Sequence, residues 1–273
     1  MLDPHACYEL SVQSPRHVCA FLHAIHANQP LTLREDFCGT AAFSVRWVKD
    51  GADRGNRATA IDLDADALER AADHATRELP PAIRDRARLL RGDCIGAHAP
   101  ASDEGADVVF VGNFSIGYLH TRAALLSYLR RSHARCALGS SGFGGGVFVC
   151  DIYGGASAFK LGGFVRKHPG KNGETIHYTW LHEEACPLTG MVTNSISYRV
   201  EKNGEIVAEW PRAFVYNWRL WPIAELREAM KEAGFARTAV YTDVNIAPGQ
   251  TPQQVTDPQA LGTDWTVLIA AWA

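Results

Sequence analysis

Several signatures are missing from this 273-residue sequence, and each absence removes a class of function. Seven cysteines include no Cys-x-x-Cys pair, so no structural zinc or other metal site is expected, and a reduced protein with buried thiols is. No run approaches the roughly 18 apolar residues of a membrane span, so no membrane partner is expected. The start, Met1-Leu-Asp-Pro-His-Ala, lacks the basic head and apolar core of a signal peptide, and the expected location is cytoplasmic. Basic excess is absent too: 27 Lys and Arg against 30 Asp and Glu leave a net charge of -3, with no electrostatic reason to expect nucleic acid. Nor is there an internal repeat or an isolating linker, so residues 1–273 read as one unit. Apolar residues at 47% and charged ones at 21% exclude disorder and leave enough to build a large core.

What is present centres on Leu31–Phe43. A β-branched, apolar run climbs to Glu35 and Asp36, breaks at Cys38-Gly39-Thr40, and continues with helical character. That is the profile of a buried strand turning sharply into a helix, the place where open α/β sheets bind nucleotides. Gly39 lets a ligand approach the backbone, and the helix amides behind it face the same space. Two more absences bear on the ligand. Of a Gly-x-Gly-x-x-Gly fingerprint only Gly39 remains, with Phe37 and Ala42 at the outer positions, which weakens the competing dinucleotide-oxidoreductase reading. No Lys-Ser/Thr follows, which removes a P-loop. Glu35 just before the turn would repel a phosphate and attract an ammonium group.

The rest of the chain is consistent with such a sheet. Residues 1–30 read as an N-terminal helical cap, with Val18, Phe21, Leu22 and Ile25 at helical spacing and Tyr8 near the ligand. Ala58–Asp62 is a second strand, followed by Asp64 as a helix N-cap. Asp62 lies 62 − 39 = 23 residues after Gly39, the spacing at which a second-strand acid meets ribose hydroxyls. Arg86–Arg91 is a third strand closed by Gly92-Asp93-Cys94, where Asp93 can accept from an adenine amino group. Ala106–Val111 is an apolar fourth strand running into Asn113-Phe114, Thr121 caps the next helix, and a Gly/Ser-rich loop over 139–146 leads to the fifth strand, Val147–Asp151. From Thr175 to Val215 apolar and polar residues alternate, with turns at Pro187–Gly190 and Lys202-Asn-Gly204. This predicts an antiparallel insertion of three or four strands over residues 165–217. Pro222 begins a helix closed by Gly234, and strands Thr238–Thr242 and Thr266–Trp272 flank a surface loop over 245–263.

Glu35-Asp-Phe-Cys-Gly-Thr-Ala41 resembles the first motif of class I S-adenosylmethionine-dependent methyltransferases, an acid followed by x-Gly-Cys-Gly-Thr-Gly. Ala60-Ile-Asp-Leu-Asp64, Gly92-Asp93, the strand end at Asn113 and Glu232-Ala-Gly-Phe235 extend it in order over residues 31–155 and 220–273. The resemblance implies an α/β, Rossmann-like fold: a seven-stranded, mostly parallel sheet with the last strand antiparallel, helices on both faces, and here an inserted antiparallel sheet. It implies S-adenosyl-L-methionine as cofactor and S-adenosyl-L-homocysteine as product. Glu35 and Gly39 would hold the methionine part, Asp62 the ribose, Asp93 the adenine, and Asn113 the amino group through its main-chain carbonyl. Phe37, Cys38, Thr40, Leu63, Gly92, Cys94 and Phe114 complete the expected cofactor site. Phe37 and Ala41 depart from the family, which usually has glycine at both positions.

Methyl transfer from a sulfonium is an in-line displacement with an activated donor, so positioning, desolvation and proton removal supply most of the catalysis. An aromatic surround suits the cation. Tyr8, Tyr118, Tyr153, Tyr178, Tyr216, Trp218 and Arg219 are the expected substrate-binding residues, with Asp151 and Trp221 beside them. His120 and His177 are candidate bases, and no base is assigned. The fourth strand ends in Asn-Phe-Ser and not in Asn/Asp-Pro-Pro-Tyr, and the insertion is similar to that of small-molecule methyltransferases, where it covers the acceptor and builds dimer contacts. The expectation is therefore methylation of an N or O nucleophile on a small molecule, with a homodimer through the insertion left open. RNA or protein methylation, or non-catalytic cofactor binding, are the alternatives.

Overall fold

The computed structural model describes residues 2–26, 29–96, 105–138, 145–242 and 250–273. Helix α1 (Pro4–Ser11) starts where the Asp3 carboxylate accepts the Ala6 amide, and α2 (Pro15–His26) buries Val18, Phe21, Leu22 and Ile25 at the predicted spacing. The chain then alternates strand and helix: β1 (Thr32–Asp36), α3 (Ala42–Asp50), β2 (Arg57–Asp62), α4 (Ala65–Glu78), β3 (Ala87–Arg91), β4 (Val108–Val111), α5 (Arg122–Leu138) and β5 (Val147–Gly155). Asp64 caps α4 by accepting the Asp66 and Ala67 amides, and the Thr121 hydroxyl accepts the Ala124 amide at the start of α5. After the inserted strands β6 (Gly162–Pro169), β7 (Thr175–Cys186), β8 (Met191–Lys202) and β9 (Glu205–Arg219) come α6 (Ile223–Glu232), β10 (Arg237–Tyr241) and β11 (Asp264–Trp272).

The large sheet has seven strands in the order β10-β11-β5-β4-β1-β2-β3, parallel except for β11, which runs antiparallel to both neighbours. This is the α/β topology that the first-motif resemblance implied. All four residues of β4 are buried, as a central parallel strand covered on both faces requires. One face packs on α2 and α3 through Phe21, Leu22, Phe43 and Trp47, the other on α5 and α6 through Tyr128, Leu129, Leu226 and Met230. Strand order reverses between β1 and β4, so a crevice opens at their carboxyl ends.

The second sheet, β6-β7-β8-β9, is wholly antiparallel. Its last hairpin turns at Asn203 and Gly204, both with positive φ, as Asn-Gly between alternating strands predicts. Ile176, Tyr178, Trp180, Ile196, Tyr198 and Trp218 lie on one face and bury Cys7 of α1, so this sheet and α1 cover the carboxyl ends of the parallel strands. Strand β6 begins three residues before the predicted insertion and lies outside the alternating stretch. It is an almost fully exposed edge, so burial never imposed a period on it. Of the predicted loops, residues 139–144 and 245–249 lie outside the described residues. The second loop also contains a 3-10 turn, Pro258–Leu261, capped by Asp257. Among the described residues no helix is long and apolar enough to cross a membrane.

Candidate active site

The turn between β1 and α3 contains three left-handed residues: Phe37 (φ 58°), Gly39 (φ 53°) and Ala41 (φ 53°). The two positions where glycine was expected therefore adopt the backbone conformation that glycine favours, at a cost of about 1–2 kcal/mol for each residue bearing a Cβ. Three amides hold the turn. Cys38 donates to the Ile61 carbonyl at 3.0 Å, Gly39 to Asp62 Oδ2 at 2.6 Å, and Ala41 to the Cys38 carbonyl at 2.9 Å. Asp62 Oδ1 accepts the Asp64 amide at 3.0 Å, so each carboxylate oxygen takes one backbone N–H and keeps a lone pair for a ligand hydroxyl. The next turn is tied in the same way, Gly92 donating to the Asp62 carbonyl at 2.9 Å.

These turns wall a cleft of about 610 Å³. Phe37, Cys38, Gly39, Thr40, Asp62 and Leu63 line it from the turns after β1 and β2, flanked by Asn113 after β4 and by Gly92, Asp93 and Cys94 after β3. Two expected residues are elsewhere. Glu35 is not on the cleft wall: it is 2% exposed, and its Oε2 accepts both the Ser44 amide (2.8 Å) and the Ser44 hydroxyl (2.5 Å). Ala41, the N-cap of α3, has no capping side chain, and Glu35 supplies the cap from the preceding strand. Burial pushes its carboxyl up to about 8, against the lowering effect of Ser44. Strand alternation turns Asp36 to the opposite face, where it pairs with Arg34 Nε (2.9 Å) and accepts the Tyr128 hydroxyl (2.7 Å). Phe114 is also off the cleft wall and faces the neighbouring chamber.

That chamber, of about 230 Å³, shares Tyr8, Asn113 and Tyr216 with the cleft. Its walls include Phe114, Tyr178, Trp180 and Trp218, with the Asp151 carboxyl at one side. Burial holds the Tyr8, Tyr178 and Tyr216 hydroxyls well above the ordinary phenol range, so these rings are neutral. A third cavity, of about 800 Å³, continues outward past Phe114, Tyr178 and Trp180 and takes in Tyr153. Of the expected substrate residues, Tyr8, Tyr118 and Tyr216 thus line the cleft, Tyr178 and Trp218 the chamber, and Tyr153 the outer cavity. Arg219 lines none of the three: its guanidinium lies over the Trp221 ring at 4.0 Å and donates to the His120 carbonyl. Trp221 is a core residue. Neither candidate base lines any of these three cavities. His120 Nε2 lies 2.8 Å from the Asn217 carbonyl, and His177 pairs with Glu201 at 2.7 Å on the outer face of the inserted sheet, one residue out of phase with Ile176 and Tyr178.

His5, Gln13, Ser115 and Phe214 also line the cleft and had no signal in the sequence. His5, Gln13 and Phe214 arrive there by the packing of α1, the turn after it and β9 over the sheet, and Ser115 by the 3-10 turn that follows β4. Gln13 Oε1 and Thr40 Oγ1, both on this wall, are buried without a hydrogen-bond partner. Such atoms fit a ligand that brings polar groups of its own.

No family model matches the sequence, and no curated protein matches it. Solved structures do. A S-adenosylmethionine-dependent methyltransferase from Clostridium acetobutylicum aligns over 98% of this chain and 96% of its own, with a TM-score of 0.66 and 13% identity. A sugar N-methyltransferase from Streptoalloteichus sp. aligns over 99% and 92%, with a TM-score of 0.65 and 16% identity. An amino pentose methyltransferase from Micromonospora echinaspora, solved with S-adenosylmethionine bound, aligns over 98% and 96%, with a TM-score of 0.64 and 17% identity. At these identities the shared property is the fold, inserted sheet included.

Proposed function

We propose that this protein is an S-adenosylmethionine-dependent methyltransferase acting on a nitrogen or oxygen nucleophile of a small molecule. The observation that carries the reading is the cleft itself: a glycine turn braced by Asp62 opens, past Tyr8, Asn113 and Tyr216, directly onto a small aromatic chamber. A group-transfer reaction needs two such adjoining sites, one for donor and one for acceptor.

The cleft residues fit the cofactor. Asp62 would accept the ribose hydroxyls with the lone pairs its backbone contacts leave over. Asp93 Oδ1 takes the Ile95 amide at 2.8 Å, and its other oxygen would receive an adenine amino group. The Asn113 carbonyl, with the unpartnered Gln13 Oε1 and Thr40 Oγ1, would meet the amino-acid tail. When bound, S-adenosylmethionine supplies a methyl group already activated on a sulfonium. Phe37 and Tyr118, stacked with centroids 6.0 Å apart, and Tyr8 offer electron-rich surfaces to that cation. The chamber walls would exclude water and hold the nucleophile in line. Two of the structural relatives are a sugar N-methyltransferase and an amino pentose methyltransferase, which supports nitrogen as the acceptor atom. The chamber volume favours a small molecule over an RNA or protein acceptor. A homodimer through the inserted sheet and a cytoplasmic location remain part of the proposal.

The test has two stages. Calorimetry with S-adenosylhomocysteine should show binding, and NADH should show none. Incubation with methyl-labelled S-adenosylmethionine and a panel of small amines and amino sugars should then transfer label. Absence of S-adenosylhomocysteine binding overturns the reading, and binding without turnover on any acceptor favours a non-catalytic role.

A further inference from the structure

The partition between cleft and chamber includes Asn113 (φ 56°), which lines both, and it is followed by Phe114 (φ 61°), a second consecutive residue in the left-handed region. Asn tolerates this conformation, whereas a phenylalanine there is uncommon and strained. Both amides point at one acceptor. Asn113 N–H donates to Asp151 Oδ2 at 3.0 Å and Phe114 N–H to Asp151 Oδ1 at 2.7 Å. Successive amides converging in this way form a concavity that holds an anion, here a side chain on the neighbouring strand β5, one residue past its pairing with β4 and still paired with β11. The consequences run both ways from the partition. Asn113 lines the cleft, Phe114 lines the chamber with its ring 4.9 Å from that of Tyr153, and Phe114 starts the 3-10 turn whose Ser115 and Tyr118 return to the cleft.

We infer that Asp151 is the positioning residue of this site. Its carboxylate holds Asn113 and Phe114 in left-handed conformations and so sets the wall that the donor and acceptor sites share. The inference rests on the proposed function for its ligand, but the contact itself does not depend on that function.

Asp151→Asn tests it. The amide keeps the shape but turns an N–H₂ toward one of the two backbone donors, so one contact becomes a repulsion. By calorimetry, S-adenosylhomocysteine should bind about tenfold more weakly or worse, the equivalent of releasing one strained residue. Adding Phe114→Gly should restore a large part of that affinity, because glycine adopts φ 61° without strain and the Phe114 ring does not line the cleft. Simple loss of packing would make the double variant worse than the single one. Unchanged affinity in Asp151→Asn, or a double variant no better than the single, overturns the inference. If Asp151→Asn does not fold, Phe114→Val and Phe114→Gly replace it: the valine variant should bind more weakly than the glycine variant, although valine is the closer side chain, and the reverse order refutes the clamp. If the wild type binds no S-adenosylhomocysteine, the functional reading fails separately. Hydrogen exchange then decides the clamp without ligand, with the Phe114 amide exchanging at least tenfold faster in Asp151→Asn if it holds and at an unchanged rate if it does not.

Discussion

The Asp62 carboxylate accepts the Gly39 amide at 2.6 Å across 23 residues of chain, joining the turn after the first strand to the end of the second. The contact makes the turn and the acid one unit. A ligand that meets the glycine turn also meets Asp62, whose second oxygen is itself fixed by the Asp64 amide. Asp62→Asn should therefore weaken S-adenosylhomocysteine binding by about 1–3 kcal/mol, through a lost charge-assisted bond to the ribose and a loosened turn. Calorimetry that returns wild-type affinity would remove Asp62 from the site.

Ala41 separates backbone strain from packing. It is fully buried against Ala60 and Ala71 and sits at φ 53°. Ala41→Gly removes the left-handed strain and a buried methyl together, two opposing effects of about 1 kcal/mol, so urea unfolding should shift little. Ala41→Val adds a β-branched side chain to the same backbone and should destabilise by more than about 2 kcal/mol. A valine variant as stable as the wild type would mean that the turn does not have this conformation.

Glu35 makes a pH signature. Its carboxyl is raised to about 8 when folded, above the ordinary carboxylate value, so between about pH 4.5 and 8 the folded state holds more proton than the unfolded one. Stability from this group is complete below that window and is lost as pH rises through it. Partly buried histidines such as His23, lowered to about 4 mainly by desolvation, act with the opposite sign, so the difference between wild type and Glu35→Gln is the quantity to measure. Glutamine still accepts from Ser44. The wild type should lose stability relative to Glu35→Gln from pH 5 to pH 8, and a constant difference in urea midpoints would refute the shift.

Gly117 allows the close approach of Trp218. A Cβ on Gly117 would lie 2.7 Å from Trp218 Cβ and 2.8 Å from Cγ, atoms that cannot swing aside as a flexible side-chain end does. Gly117→Ala should lower the melting temperature by several degrees and displace the Trp218 ring that backs the chamber. An alanine variant with unchanged melting temperature and unchanged tryptophan fluorescence would contradict this packing.

The strand–turn–helix series, the acids ending β2 and β3 and the Asn-Gly hairpin were legible in the sequence because each is set by local rules: hydrophobic period, capping, spacing and turn chemistry. Asp62, Asp93 and Asn113 line the cleft from positions where such rules place strand ends. Other features were decided only by the tertiary structure. Glu35 and Asp36 read as one acidic pair before a glycine turn, yet a strand sends successive side chains to opposite faces, so one caps α3 and the other joins Arg34 and Tyr128. His120 and His177 carry base chemistry in any sequence, but the pleat and packing of the inserted sheet turn both away from the cavities. Gln13 and Phe214 join the cleft across 201 residues of chain because α1 and β9 both pack over the parallel strands. Local periodicity determined that a nucleotide-type turn exists and where its acids stand. The pairing of distant amides with Asp62 and Asp151, which no periodicity encodes, decided the shape of the cleft's turn and of the wall it shares with the chamber.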